Sequence, residues 1–175
     1  MTIKTIFLDR DGVINMDNKY IYKPDDFVFI PGIFDICFYF QKLGYKIVVI
    51  TNQSGIARGY FNEKQYQELT NWVLNKFSEK NIDILDILYC PHGPESRCSC
   101  RKPKPGMFIE AKKKHNIYMK DSWMIGDSER DITAASLAGI TNTILVRSGN
   151  KIEQENSKAK YRLNSIKDIK DVVKF

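Results

Sequence analysis

Four short segments carry residue types suited to one reaction, the transfer of a phosphoryl group. Asp9-Arg10-Asp11-Gly12 places two acids two residues apart, just after an apolar run and before a glycine. One carboxylate can attack phosphorus while the other handles a proton. A bound cation would offset their mutual repulsion, and the glycine allows a sharp turn. Thr51-Asn52-Gln53-Ser54-Gly55 offers hydroxyl, amide and main-chain donors, a suitable cradle for phosphate. Arg101-Lys102-Pro103-Lys104-Pro105 supplies a point charge in Lys102 and a bidentate anion grip in Arg101. Gly126-Asp127-Ser128-Glu129-Arg130-Asp131 adds a further acid, Asp127. Asp131, four residues on, falls in the first turn of a helix, where it can support the site from behind or simply complement the helix dipole. Each segment alone also fits an ordinary polar or basic loop.

A second cluster has different chemistry. Cys90-Pro91-His92 and Cys98-Ser99-Cys100 offer three sulfurs and one nitrogen. That set suits a closed tetrahedral zinc site of structural type. A disulfide framework fits less well, because only three of the four cysteines cluster and they do so beside a histidine. Cys37 lies in an apolar stretch and is expected in the core. His115 follows three lysines, Lys112 to Lys114, and is expected at the solvated surface.

These groups need a scaffold that brings them together. Strand-like apolar runs occur at 3–8, 46–51, 84–89, 122–125 and 143–146. Helical periodicity lies between them. Ile33, Ile36, Cys37, Phe40 and Leu43 recur at steps of three and four, with Gly44 as a stop. Asn62 and Gln65 form a helix-start box ahead of Tyr66, Leu69, Val73 and Phe77. Further helices are expected at 105–115, 130–137 and about 165–173. Strand and helix in alternation predict a three-layer, Rossmann-like α/β fold, a parallel sheet with helices on both faces. Ligands in such folds sit beyond the carboxyl ends of the strands. Asp9, Thr51-Asn52 and Asp127 all stand at those ends, and this convergence is stronger than any one motif.

Bulk properties narrow the classes. The 175 residues suit one domain, 1–175, with a zinc loop at 90–102. No apolar run approaches the roughly 20 residues of a membrane helix, and the start lacks a signal-peptide layout. A cytoplasmic protein that does not engage a membrane is expected. The net charge is +6, and half of it lies in residues 151–175, where seven cations face four acids. Aromatic residues are not interleaved there, so a solvated terminal face is expected and nucleic acid is not. A zinc-ordered, basic nucleic-acid-binding module is the competing class, but it has no use for acids at three strand ends.

The strings FLDRDGVIN, TNQSGIARG, CPH, CSCRKPKPGM, MIGDSERD and LVRSG, in that order, resemble the haloacid dehalogenase superfamily of aspartyl-phosphate phosphatases. The resemblance runs to about Gly149. Within the superfamily the chain looks like the branch acting on heptose bisphosphates, with the histidinol-phosphate branch as the alternative; SGIARG favours the former. The resemblance implies Asp9 as nucleophile and Asp11 as acid, then base. It implies Mg2+ on Asp9, the main-chain carbonyl of Asp11 and Asp127. Thr51 and Lys102 would steady the phosphoryl group. Asn52, Gln53, Ser54, Arg101 and the segment Asp17, Asn18, Lys19, Tyr20 would meet a small phosphorylated sugar. A monomer with no large cap domain, hydrolysing the C7 phosphate of such a sugar for surface-polysaccharide synthesis, is what this branch implies.

Overall fold

The computed structural model describes residues 2–147 and 156–174. Ser148 and Gly149 of the last string, and 151–155 of the basic tail, lie outside them. The strands are β1 (Thr5–Leu8), β2 (Lys46–Asn52), β3 (Ile84–Cys90), β4 (Trp123–Gly126), β5 (Asn142–Val146) and β6 (Tyr161–Leu163). The main helices are α1 (Ile33–Lys42), α2 (Glu63–Ser78), α3 (Gly106–His115) and α4 (Glu129–Leu137), with a short α5 (Ile169–Val172). The sheet order is β3-β2-β1-β4-β5-β6, and every neighbouring pair is parallel.

Alternation along the strands divides the core, because successive side chains leave opposite faces. Ile6, Leu8, Ile47, Val49, Trp123, Ile125, Ile144 and Val146 pack on the α1, α2 and α5 side with Phe40, Leu69, Phe77 and Ile169. Phe7, Val48, Ile50 and Met124 pack on the other side with Met107 and Phe108 of α3 and Ala134 and Ala135 of α4. Cys37 is fully buried, as its surroundings required. The expected helix-start box is present: Gln65 N–H donates to Asn62 Oδ1, and Asn62 N–H to Gln65 Oε1, both at 2.9 Å.

Two details depart from the sequence reading. The tail adds a sixth strand, β6, against β5, and buries Ile166, Ile169 and Val173. It is therefore part of the fold's edge, and its solvated face is only one side of it. His115 is not a free surface residue: its Nε2 lies 2.7 Å from Asp86 Oδ2 on β3, and Lys114 Nζ reaches the same oxygen at 2.8 Å. The lysine run had hidden a histidine that packs over the sheet edge.

The order places β1 beside β4. Connections from β1 lead towards β2, and those from β4 towards β5, so the sheet changes direction between them. This is the point at which an open parallel sheet leaves a crevice.

Candidate active site

The two central strands end in acids. Asp9 N–H donates to Ile125 O at 3.1 Å, which carries the β1–β4 ladder one residue past β1 and sets Asp9 beside the end of β4. Asp127 follows directly on β4 and is 6% exposed. Gly12 adopts φ +87°, and a Cβ there would occupy the position of the Asp127 carboxylate. A side chain at 12 would push the two acidic loops apart.

One carboxylate oxygen from each of Asp9, Asp127 and Asp131 lies within 4.8 Å of the others. Asp131 reaches back from α4: its Oδ2 accepts the main-chain N–H groups of Asp127 and Ser128 at 3.2 Å. Its other oxygen lies 2.7 Å from Lys102 Nζ. Lys102, 2% exposed, also meets Asp9 Oδ1 at 2.9 Å and donates to Ile50 O at 2.7 Å. All three ammonium hydrogens are thus engaged. Burial alone would lower the lysine's pKa, but Asp131 and Asp9 outweigh it and push it up to about 12. Asp9 is driven the other way from a normal carboxylate. Burial first, then Asp131, Asp127 and Asp11, raise its pKa well above the ordinary value, and Lys102 offsets only part of this. A nest of hard oxygen donors with unbalanced negative charge suits a divalent cation such as Mg2+.

Asp11 turns to a different set of partners. Arg10 forks onto it, with Nη2 at 2.9 Å from Oδ1. Asn15 Nδ2 donates to Oδ1 at 3.0 Å and Gln53 Nε2 to Oδ2 at 2.9 Å. The Asp11 side chain is therefore outside the carboxylate nest, so only its main chain is left for the metal role that the resemblance implies.

The cysteine cluster forms as its spacing suggested. Cys90 Sγ lies 3.1 Å from Cys100 Sγ and 3.8 Å from Cys98 Sγ, and His92 Nδ1 lies 3.4 and 3.3 Å from Cys90 and Cys100 Sγ. A tetrahedron with Zn–S bonds of about 2.3 Å has S–S edges of roughly 3.8 Å; Cys90–Cys98 matches that edge, Cys90–Cys100 is shorter, and the three sulfurs and one nitrogen are a donor set that suits zinc. The loop is tied to the sheet on both sides. Lys102 N–H donates to Asn52 Oδ1 and Asn52 Nδ2 to Lys102 O, each at 3.1 Å. Gly106 opens α3 against Ser99 O, where a Cβ would collide.

A cleft of about 450 Å³ opens over the strand ends. Asp9, Asp11, Asp17, Lys19, Tyr20, Asn52, Gln53, Ser54, Arg101, Lys102, Asp127 and Asp131 line it. Asn18 and Thr51 do not. Thr51 is fully buried beneath the floor, where its Oγ1 accepts from Gln53 Nε2 at 2.9 Å. Arg101 Nη1 donates to His92 O at 3.2 Å, which ties its head group to the cysteine loop. Sequence reasoning passed over Arg10, Asn15, Arg58 and Arg130; the last two are further cleft-lining residues. A basic residue wedged between two acids was the one signal available for Arg10.

Known proteins resemble this chain in sequence and fold. A HAD-hydrolase-like family model matches residues 99–172. The D-glycero-beta-D-manno-heptose-1,7-bisphosphate 7-phosphatase of Haemophilus ducreyi is 47% identical over 174 residues, covering 95% of this chain and 96% of its own. That of Vibrio cholerae is 45% identical over 177 residues, with 97% and 95% covered. The chain belongs to the heptose-bisphosphate phosphatase family of the haloacid dehalogenase superfamily. An alpha-anomer phosphatase from Photorhabdus laumondii is 46% identical over 168 residues, covering 90% of both chains, so both anomeric types occur among the family's relatives of this chain. The crystal structure of D,D-heptose 1,7-bisphosphate phosphatase from B. bronchiseptica, complexed with magnesium and phosphate, superimposes with a TM-score of 0.86 at 31% identity, covering 95% of this chain and 96% of that one. Among the described residues no helix is long and apolar enough to cross a membrane.

Proposed function

We propose that this chain removes the C7 phosphate of D-glycero-D-manno-heptose 1,7-bisphosphate through an aspartyl phosphate on Asp9, a step in nucleotide-heptose and surface-polysaccharide synthesis. The observation that carries this reading is the buried meeting of Asp9, Lys102, Asp127 and Asp131 at the floor of the cleft, in a chain so similar to heptose bisphosphatases. Magnesium held by Asp9, the main-chain carbonyl of Asp11 and Asp127 would supply the positive charge that lets Asp9 stay ionised beside a phosphate.

An oxygen of Asp9 attacks phosphorus, and the bond from phosphorus to the C7 oxygen breaks. Asp11 gives its proton to that departing oxygen. It then takes a proton from the water that attacks the phosphorus of the aspartyl phosphate, which frees inorganic phosphate and restores the Asp9 carboxylate. Lys102 already touches Asp9 Oδ1, so its ammonium can follow the charge onto the phosphoryl oxygens. Thr51, buried under the loop, holds Gln53 in place and steadies the cradle from below. Arg101, Asn52, Gln53, Ser54, Asp17, Lys19 and Tyr20 line the cleft where the sugar and its second phosphate would lie. Cys90, His92, Cys98 and Cys100 would hold zinc in a structural role, which would order the loop that delivers Arg101 and Lys102. We further propose that the enzyme is cytoplasmic and monomeric.

Phosphate release from both heptose bisphosphate anomers, measured beside histidinol phosphate, tests the reading. A clear preference in kcat/KM for one heptose anomer is expected. Preference for histidinol phosphate would overturn the substrate, and no phosphate release with salt-dependent oligonucleotide binding would overturn the class.

A further inference from the structure

The reaction as written leaves one buried cation without a task. Arg10 is 5% exposed and stands between the nucleophile and the acid. Its guanidinium meets Asp11 three times: Nε to Oδ1 at 3.2 Å, Nη2 to Oδ1 at 2.9 Å and Nη2 to Oδ2 at 3.2 Å. The same Nη2 donates to the main-chain oxygen of Ile21 at 3.1 Å. Its carbon lies 5.9 Å from the centre of the Phe27 ring, which closes one side. Asn15 and Gln53 add one donor to each Asp11 oxygen. A carboxylate with so many fixed donors has little rotational freedom. Ile21 immediately follows the 17–20 segment that lines the cleft with Asp17, Lys19 and Tyr20. One guanidinium therefore touches both the proton-transfer group and the end of the substrate-facing segment.

We propose that Arg10 is the positioning residue of the proton transfer: it aims the Asp11 carboxyl at the leaving oxygen and rivets it to the 17–21 segment, so that substrate grip and acid alignment are set together. This rests on the reading of Asp11 as acid and base given above. A lysine cannot reproduce the fork, because an ammonium is a point charge without planar paired donors. The role differs from plain structural support. Structural support would slow every substrate alike, whereas misaligned acid harms only those substrates whose leaving group needs a proton.

The test is a quench-flow measurement of phosphoenzyme formation in Arg10→Gln and Arg10→Lys, each alone and combined with Asp11→Asn. Two substrates are compared: an alkyl phosphate that the wild-type enzyme turns over, and p-nitrophenyl phosphate, whose leaving group departs without a proton. Both Arg10 variants should lose on the order of 100-fold with the alkyl phosphate, the lower end of what acid catalysis supplies. With p-nitrophenyl phosphate they should lose about threefold or less. In the Asp11→Asn background the Arg10 changes should add almost nothing, the signature of two groups acting as one. Equal losses on the two leaving groups would overturn the proposal in favour of a structural ion pair, and losses that multiply with Asp11→Asn would overturn it by showing that Arg10 acts apart from Asp11. If Arg10→Gln does not fold, the charge-retaining Arg10→Lys decides by the same criteria. Failure of the underlying reading looks different. A wrong substrate shows as wild-type enzyme inactive on heptose bisphosphate yet active on another phosphate ester. A wrong acid shows as Asp11→Asn alone failing to distinguish the two leaving groups, and that result would remove the proposal as well.

Discussion

The carboxylate nest and the cysteine cluster are both suited to hold a cation, and they are built in opposite ways. The nest draws Asp9 from the end of β1, Asp127 from the end of β4 and Asp131 from the first turn of α4. Asp9 is far in the chain from Asp127 and Asp131, and the sheet brings it to them against their mutual repulsion. The cysteine cluster takes its four ligands from eleven consecutive residues: Cys90 at the buried end of β3, and His92, Cys98 and Cys100 from the loop that follows, which has little apolar content of its own. The core holds every member of the nest, whereas in the cluster it holds Cys90 firmly and the more exposed His92, Cys98 and Cys100 close onto it. Lys102 belongs to both. Its main chain leaves the cysteine loop and pairs with Asn52, while its ammonium sits in the nest. The comparison teaches that a loop with no core of its own can still deliver a buried catalytic cation, provided that both its ends are fastened.

The sharpest way to break this comparison is at the nest. Asp9→Asn keeps the shape but removes the nucleophile, so turnover should fall by about 10⁴-fold or more while the fold persists. Steady-state phosphate release checks this, with mass spectrometry to exclude deamidation back to Asp. Lys102→Ala strikes where the two regions meet. It strands Asp9 and Asp131 as buried acids, and breaking such a pair costs about 3–5 kcal/mol. A fall in the unfolding midpoint and in kcat on every substrate is expected; denaturant titration beside kinetics measures both.

Arg101→Ala tests the loop's contribution to the substrate. A hydrogen bond to a charged group contributes about 1.5–3 kcal/mol, so kcat/KM on the bisphosphate should drop roughly 10- to 150-fold. The matching monophosphate should lose little. Equal losses on both would mean that the Arg101–His92 contact serves the loop and not the second phosphate. Cys98→Ser opens the cysteine cluster itself. Elemental analysis should give one zinc per chain in the parent and less in the variant, with activity down about tenfold and faster hydrogen exchange over 90–102. An unchanged exchange pattern would show that the loop is held by the sheet contacts alone.

The smallest effect sharpens the electrostatic side. Because the folded-state pKa of Asp9 is raised, mainly by burial and by Asp131, the folded state binds its proton more tightly than the unfolded state does. That contribution to stability is fully present below the ordinary aspartate range and is lost as pH rises through the raised value. Without divalent cations, Asp9→Asn should therefore melt about 2–4 °C above the parent at neutral pH, the response to roughly 1 kcal/mol in a protein of this size. The gap should close on acidification, as the parent takes up its proton. Melting curves in chelator across pH give the answer. A parent as stable as the variant at neutral pH would show that Lys102 alone balances the nest.

Much of this was legible in the sequence, and particular residues show why. Asp9 and Asp127 stood at the ends of apolar, β-branched runs, and strand ends in a parallel sheet share one edge. Cys90, His92, Cys98 and Cys100 were close enough in the chain for their spacing alone to suggest a common centre. Alternation of strand and helix was enough for the layers, because burial on both faces needs nearly continuous apolar strands. Only the tertiary structure decided contacts between distant segments. Strand β6 has three residues with a half-exposed pattern, so nothing local separated it from a loop. His115 looked solvated until Asp86 of β3 came beside it. The carboxylate nest took Asp131 and left out the side chain of Asp11, whose oxygens accept from Arg10, Asn15 and Gln53. Periodicity and local spacing record which face a residue shows and which neighbours lie within a few positions; the choice of partner for a buried charge depends on the low-dielectric space that only the folded chain creates.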